Sequence, residues 1–151
     1  FLGRDSTLSR RTVLWFSSFQ MFLEKPILGY GYGAFWLDNY GPSGEMYKRF
    51  SDILGWMPPH AHNGLIEVGL QVGLIGIIFF LGLYFSAFNK ILTISSKIGV
   101  KTFYFGFAFL VLFFIVNFSE SLSIKHNNIF WIIFTMLVFK LNNNKKLFLE
   151  T

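Results

Sequence analysis

The sequence predicts an all-α integral membrane fold: three transmembrane helices preceded by a large extracytoplasmic loop that carries an amphipathic helix. Composition points there first, because 53% of the 151 residues are apolar, 21 of them are Phe, and mean hydropathy is +0.50, well beyond a soluble domain. Hydropathy patterning points the same way. Apolar runs cover roughly 64–88, 102–118 and 129–141, and about 20 residues of helix cross the roughly 30 Å hydrocarbon layer. Lysine placement is the third observation. Lys90, Lys97 and Lys101 separate the first two runs and Lys140, Lys145 and Lys146 follow the third, whereas the turn between the second and third holds Lys125. The positive-inside rule then puts both Lys-bearing segments in the cytoplasm. The expected division is an extracytoplasmic loop at 1–63, a three-helix membrane region at 64–141 and a cytoplasmic tail at 142–151, in a multi-pass protein of the bacterial inner membrane.

The chain opens Phe1-Leu2-Gly3-Arg4-Asp5, which is polar and turn-like rather than a signal sequence. It reads as the C-terminal part of a longer polypeptide, whose N-terminal half is an expected partner along with the lipid bilayer. Between Leu8 and Leu23 the apolar residues Val13, Leu14, Phe16, Phe19, Met21 and Phe22 suit an amphipathic helix lying in the membrane interface. Lys25-Pro26 ends it, since Pro disfavours helical geometry in the residue before it. Gly29, Gly31 and Gly33 permit positive φ or close backbone approach. From Asp38 to Met57 the chain reads as an irregular excursion with turn residues at 41–44 and short helical pieces around 45–54. The third apolar run is short, and Asn127, Asn128 and a snorkelling Lys140 would extend its reach.

The absence of Cys excludes disulfides, thiolate metal sites and Cys nucleophiles. The net charge of +5 needs no nucleic acid to explain it, because the lysines flank apolar runs. Gly29-Tyr30-Gly31-Tyr32-Gly33 is no nucleotide loop: Trp36 stands at the third glycine position of GxGxxG and no buried strand precedes it.

The densest chemistry is Pro58-Pro59-His60-Ala61-His62-Asn63-Gly64-Leu65-Ile66-Glu67, where a loop runs into the first apolar helix. His60 and His62 fall on one face of an extended segment, so they could hold a metal only if further ligands arrive from elsewhere. A His bonded to backbone at a loop-helix junction is a second reading. General base is the third: the positive end of a helix dipole disfavours imidazolium and keeps a proton acceptor available, and His62 fits better than His60. Asn63 suits an N-cap, although its side chain could instead orient His62. Glu67 forms a polar stripe with Asn63 and Gln71, either in a protein-lined cavity or at headgroup level, while Gly69, Gly73 and Gly76 beside it suggest a helix-packing face. Arg4, Arg10 and Arg11 could grip phosphate, since the guanidinium fork donates two parallel bonds and stays charged; solvated Arg pairing with lipid headgroups is the alternative. Tyr30, Tyr32, Phe35, Trp36 and Tyr40 could stack on sugars, or simply reflect interfacial aromatic enrichment.

The blocks Gly3-Arg4-Asp5-Ser6-Thr7-Leu8-Ser9-Arg10-Arg11-Thr12, Trp15, 26–36 beginning Pro26-Ile27-Leu28-Gly29, His60-Ala61-His62-Asn63-Gly64, Asn117-Phe118-Ser119-Glu120-Ser121 and Asn128-Phe130-Trp131, in this order between membrane runs, resemble the O-antigen ligase and polysaccharide polymerase superfamily, within it the exopolysaccharide production branch. The resemblance covers nearly the whole chain. It implies a metal-independent, inverting membrane glycosyltransferase without cofactor, acting on oligosaccharide carried by undecaprenyl diphosphate at the periplasmic face. It further implies that Arg11 binds the diphosphate with Arg4 and Arg10 beside it and that His62 activates the acceptor hydroxyl. Asn63, Glu67, Glu120, His60, Tyr30 and Trp36 are supporting candidates. The Gly that usually precedes the family Arg is Arg10 here, so the phosphate contact could fall on either guanidinium. Polymerase is the expected activity, transfer to lipid A core or protein by a ligase the alternative, and non-enzymatic binding or transport of a lipid-linked glycan a third. A family Arg lies outside this stretch, so the isolated 151 residues are expected to lack catalysis.

Overall fold

The structure is a computed structural model that describes residues 6–37, 41–97, 99–125 and 127–143, with the side chains of 6–10, 97 and 143 outside the description. Arg4, Tyr40, the Arg10 side chain and the Lys145/Lys146 tail therefore lie outside the described residues. The described chain is helical: α1 Ser6–Glu24, α2 Pro42–Leu54, α3 Gly64–Thr93, α4 Val100–Asn117 and α5 Ile129–Asn143, with a 3₁₀ turn at Ser95–Lys97.

Helix α1 ends before Pro26 as its sequence requires. It buries Leu14, Ser17, Ser18 and Met21 and leaves Phe16, Phe19 and Leu23 exposed, so apolar residues occupy both the inner and the outer face. Helix α2 is kinked at the non-helical Phe50 (φ −119°, ψ 16°), which divides it into two short helical pieces, as the sequence suggested. Pro42 sits in its first turn, where a missing N–H costs nothing, and Gly55 at φ +64° closes its end. Leu14, Met21, Phe35, Met46, Leu54, Ala61 and Leu70 make one core among α1, α2, the loops and the start of α3. A second core joins α3, α4 and α5 through Phe80, Tyr84, Ala87, Ile91, Phe109, Leu110, Phe113, Phe134 and Val138. Phe113 and Phe134 stack nearly parallel there, with centroids 4.7 Å apart. Lipid is as apolar as these side chains, so close dispersion contact rather than escape from water favours that packing.

Helix α3 carries the main departure from expectation. Gly73 has φ +69° and ψ −165°, which breaks the helix into segments 64–72 and 74–93. In an unbroken helix the carbonyls of Leu70 and Gln71 would accept from Leu74 and Ile75. Instead they accept from the N–H groups of Tyr30 (2.8 Å) and Gly31 (2.9 Å), while Leu74 and Ile75 donate to the carbonyls of Pro26 (2.7 Å) and Ile27 (3.4 Å). The 26–31 segment thus splints the break and leaves these four groups bonded, the condition for irregular backbone near a bilayer. Glycine is required on both sides. A Cβ at Gly29 (φ +66°) would lie 2.7 Å from the Leu70 carbonyl oxygen, and one at Gly73 2.2 Å from that of Ile27. The glycines expected to form one packing face therefore do different things: Gly69 lies under the Phe22 ring, Gly73 breaks the helix, and a Cβ on Gly76 meets side chains of α3 itself.

We expect Gly73→Ala to lower the unfolding temperature of the detergent-purified protein by about 2–12 °C, since a strained left-handed residue costs about 1–3 kcal/mol and each kcal/mol shifts a domain of this size by about 2–4 °C. Gly82→Ala is the control, because a Cβ there meets nothing within 4 Å. Equal transitions for the two variants would show that the break is not needed.

Among the described residues two helices, α3 and α4, are long and apolar enough to cross a membrane, where three spans were expected. Helix α5 is described over 15 residues, about 22 Å at 1.5 Å per residue. Its start is set by Asn128, whose side-chain oxygen accepts from the N–H groups of Phe130 (2.9 Å) and Trp131 (3.3 Å); the cap that was expected to lengthen the helix delimits it. Phe134 and Val138 bury its inner face while Met136 and Phe139 stay exposed.

Candidate functional site

The loop preceding α3 is held from three sides. Asn63 is the N-cap of α3, its Oδ1 accepting from Leu65 N–H (3.0 Å) and Ile66 N–H (3.1 Å), so it does not orient His62. Its own N–H donates to Ser121 Oγ (3.3 Å) and its Nδ2 to the Phe118 carbonyl (3.4 Å), which docks the turn after α4 against the loop. Gly64 permits the approach, since a Cβ there would fall 2.0 Å from Asn117 Oδ1. Ala61 is gripped at both ends of its backbone: its carbonyl accepts from Trp15 Nε1 (3.0 Å) and its N–H donates to Glu67 Oε2 (3.0 Å).

Glu67 is the centre of this arrangement. It is 4% exposed and accepts from Trp36 Nε1 (2.7 Å), Gln71 Nε2 (2.6 Å), Ala61 N–H and Ser121 Oγ (3.4 Å). Four neutral donors occupy the acceptor positions of one carboxylate. Glu67 therefore ties α3 to the loop bearing Trp36, the histidine loop and the turn after α4; it is an organiser of the site rather than an open base.

Between the clamped positions the histidines are presented together. His62 has φ +49°, a left-handed conformation uncommon for a residue with a side chain and one that concentrates at functional sites. His60 and His62 rings lie 3.9 Å apart, and the His62 N–H donates to His60 Nδ1 (3.3 Å). Burial, then the neighbouring His62 and Lys125, pull the His60 imidazole below the usual histidine range, against a weaker upward pull from Glu120, so it is neutral at neutral pH.

Glu120 links the two residues expected to do the chemistry. Its Oε2 lies 3.3 Å from His62 Nδ1 and its Oε1 accepts from an Arg11 guanidinium nitrogen at 3.4 Å. Arg11 comes from the second turn of α1 and Glu120 from the turn after α4. Their carboxylate-mediated meeting with His62 was not legible in the sequence. His60, His62 and Glu120 are also the group, among the described residues, whose ligand atoms approach within 4.8 Å of one another.

Beside His60 opens a cleft of about 500 Å³, lined by Tyr32, Trp36, Pro59, Gln71, Ser121, Ser123 and Lys125 among others. Trp36 is held by its indole bond to Glu67, and the Gly33 N–H is bonded to Gln71 Oε1 (3.0 Å). Neither Arg11 nor His62 lines this cleft. Tyr30 stands apart from it: its hydroxyl donates to the Met21 carbonyl (2.9 Å) and lies 3.1 Å from Glu24. Burial and then Glu24 push that phenol up to about 12, which suits a structural hydroxyl.

Residues 3–81 match the family model described as O-antigen ligase. Over 78 residues the chain is 35% identical to the exopolysaccharide production protein ExoQ of Rhizobium meliloti, covering 50% of this chain and 17% of that protein. Over 97 residues it is 30% identical to a candidate polysaccharide ligase of Rickettsia conorii and 29% identical to one of Rickettsia felis, covering 64% of this chain and 23% and 24% of theirs. The chain thus spans about a fifth of the length of these relatives. No solved structure matches it.

Proposed function

The chain belongs to the O-antigen ligase family, and from that premise we propose that it carries the acceptor-activating face of a bacterial polysaccharide polymerase, which transfers glycan from undecaprenyl diphosphate to a sugar hydroxyl with inversion. The observation that carries this reading is the Arg11–Glu120–His62 constellation: a cation suited to diphosphate and a base suited to a hydroxyl share one carboxylate. With Nδ1–H directed at Glu120, the lone pair sits on Nε2 and the ring is held in one orientation. The acceptor hydroxyl then loses its proton to Nε2 as its oxygen bonds to the anomeric carbon, and the bond to the diphosphate breaks on the opposite face. Negative charge developing on the leaving diphosphate meets the Arg11 guanidinium, whose five donors leave several free while one faces Glu120. The neighbouring cleft, with Trp36 as its fixed aromatic wall, suits the acceptor sugar.

The break in α3 bears on where this site stands. Large exposed apolar side chains on α3 begin at Leu74 and continue through Ile75, Ile78, Phe79, Leu83 and Phe85, and the 74–93 segment is about 30 Å long by its rise per residue. We therefore place the membrane surface near Gly73, with Glu67, Gln71 and the histidines above it on the extracytoplasmic side, as the lysine pattern favours. Impermeant thiol labelling of spheroplasts checks this: Tyr32→Cys should label and Lys97→Cys should not, and the reverse pattern would invert the topology.

The activity itself is tested by supplying membranes containing the full-length protein with labelled lipid-linked repeat units. A ladder of lipid-linked glycan is expected. Label appearing only on lipid A core or on protein would assign ligase activity, and binding without turnover would assign a carrier.

A further inference from the structure

We propose that His60, His62 and Glu120 form an inhibitory binding site for a zinc-class divalent cation. The inhibitory part rests on the reading of His62 as the base; binding of the ion does not. Two imidazoles and one carboxylate are brought together from a loop and a distant turn, with ligand atoms all within 4.8 Å of one another. His62 Nδ1 and Glu120 Oε2 are already 3.3 Å apart. Bonds of about 2.0–2.1 Å at tetrahedral angles separate neighbouring ligand atoms by about 3.4 Å, so this pair already has the bite of a zinc site. His60 has to move in by at most a side-chain adjustment.

The loop is braced by the bonds of Ala61 to Trp15 and Glu67, so ordering it costs little on binding. Ligand type sets the selectivity. One carboxylate is too few for calcium or magnesium, which prefer six or more oxygens, whereas two nitrogens and an oxygen suit zinc and leave a fourth position to water. Arg11 on the other oxygen of Glu120 and Lys125 near His60 oppose the added charge, which makes the ion exchangeable rather than a permanent structural centre.

Inhibition follows from the imidazole tautomer. An ion on Nδ1 of a neutral His62 forces the remaining ring proton onto Nε2, the atom that would accept the hydroxyl proton, and the same ion occupies Glu120. Zinc and the acceptor hydroxyl therefore compete for one ring.

The test is calorimetric titration of the full-length detergent-purified protein with zinc chloride, with magnesium chloride as comparison. One zinc per chain is expected, magnesium should give no heat, and His60→Ala and the isosteric Glu120→Gln should each weaken zinc by at least about tenfold. Thermal unfolding of each variant establishes that it is folded. Zinc binding that neither substitution weakens, or no zinc binding by folded wild-type protein, would overturn the site. A zinc-saturated protein that still elongates glycan at the full rate would overturn the inhibition alone, and failure of the protein to transfer glycan under any condition would count against the polymerase reading while leaving the titration intact.

Discussion

Replacing His62 by Ala in the full-length protein is expected to lower glycan transfer by about 10²- to 10⁴-fold, the usual contribution of a general base, while membrane abundance and donor binding stay near wild type. The reason is geometric. His62 is held by Glu120 at 3.3 Å and by its own left-handed backbone, yet it anchors little: the bonds that brace its loop come from Ala61 and Asn63. Removing the ring should cost rate rather than fold or ground-state affinity. The measurement is elongation of labelled lipid-linked glycan, with binding of the same donor followed separately. His60→Ala should cost less, since Glu120 holds the His62 ring at 3.3 Å and makes no hydrogen bond to that of His60. Wild-type elongation by His62→Ala would refute the base. Loss of elongation on adding EDTA, restored by a divalent ion, would instead make the His60–His62–Glu120 group a catalytic metal site.

Arg11→Ala is expected to cost about 10²- to 10³-fold in transfer, the range for removing one donor aimed at developing negative charge. Arg11→Lys should recover part of this only, because a point charge cannot span two phosphate oxygens as a planar fork does. Because Arg11 also touches Glu120 at 3.4 Å, its loss frees that carboxylate, but both partners are substantially exposed and such a pair contributes little to stability. The variant should therefore unfold near wild type, so a large drop in transfer reports chemistry. Arg10→Ala should be milder. If Arg10→Ala abolishes elongation and Arg11→Ala is silent, the phosphate contact belongs to the neighbouring guanidinium.

Local patterns carried much of this fold into view. Helix α1, the Pro26 stop, the Asn63 cap and the two long apolar helices are each written in a few adjacent residues, because helix caps and periodicity act within one or two turns. The family membership was legible too, since its blocks are short contiguous motifs. Three spans were expected and two of the described helices reach spanning length, because a run of apolar residues shows what can enter lipid, not what crosses it.

What the tertiary structure decided are the relations between segments far apart in the chain. Glycines at 29, 31 and 73 were visible individually, but nothing local says that Gly29 packs against Gly73, or that the N–H groups of Tyr30 and Gly31 and the carbonyls of Pro26 and Ile27 replace the hydrogen bonds of a broken helix. In the sequence Glu67 fits either a protein-lined cavity or headgroup level and Glu120 is a supporting candidate without a partner, until the fold surrounds one with four neutral donors and sets the other between Arg11 and His62. The sequence by itself determined the helices, the family and the candidate base and cation. Only packing decided which carboxylate organises the site and which one joins base to cation, because a hydrogen bond depends on positions in space to within a few tenths of an ångström, and separation along the chain does not set them.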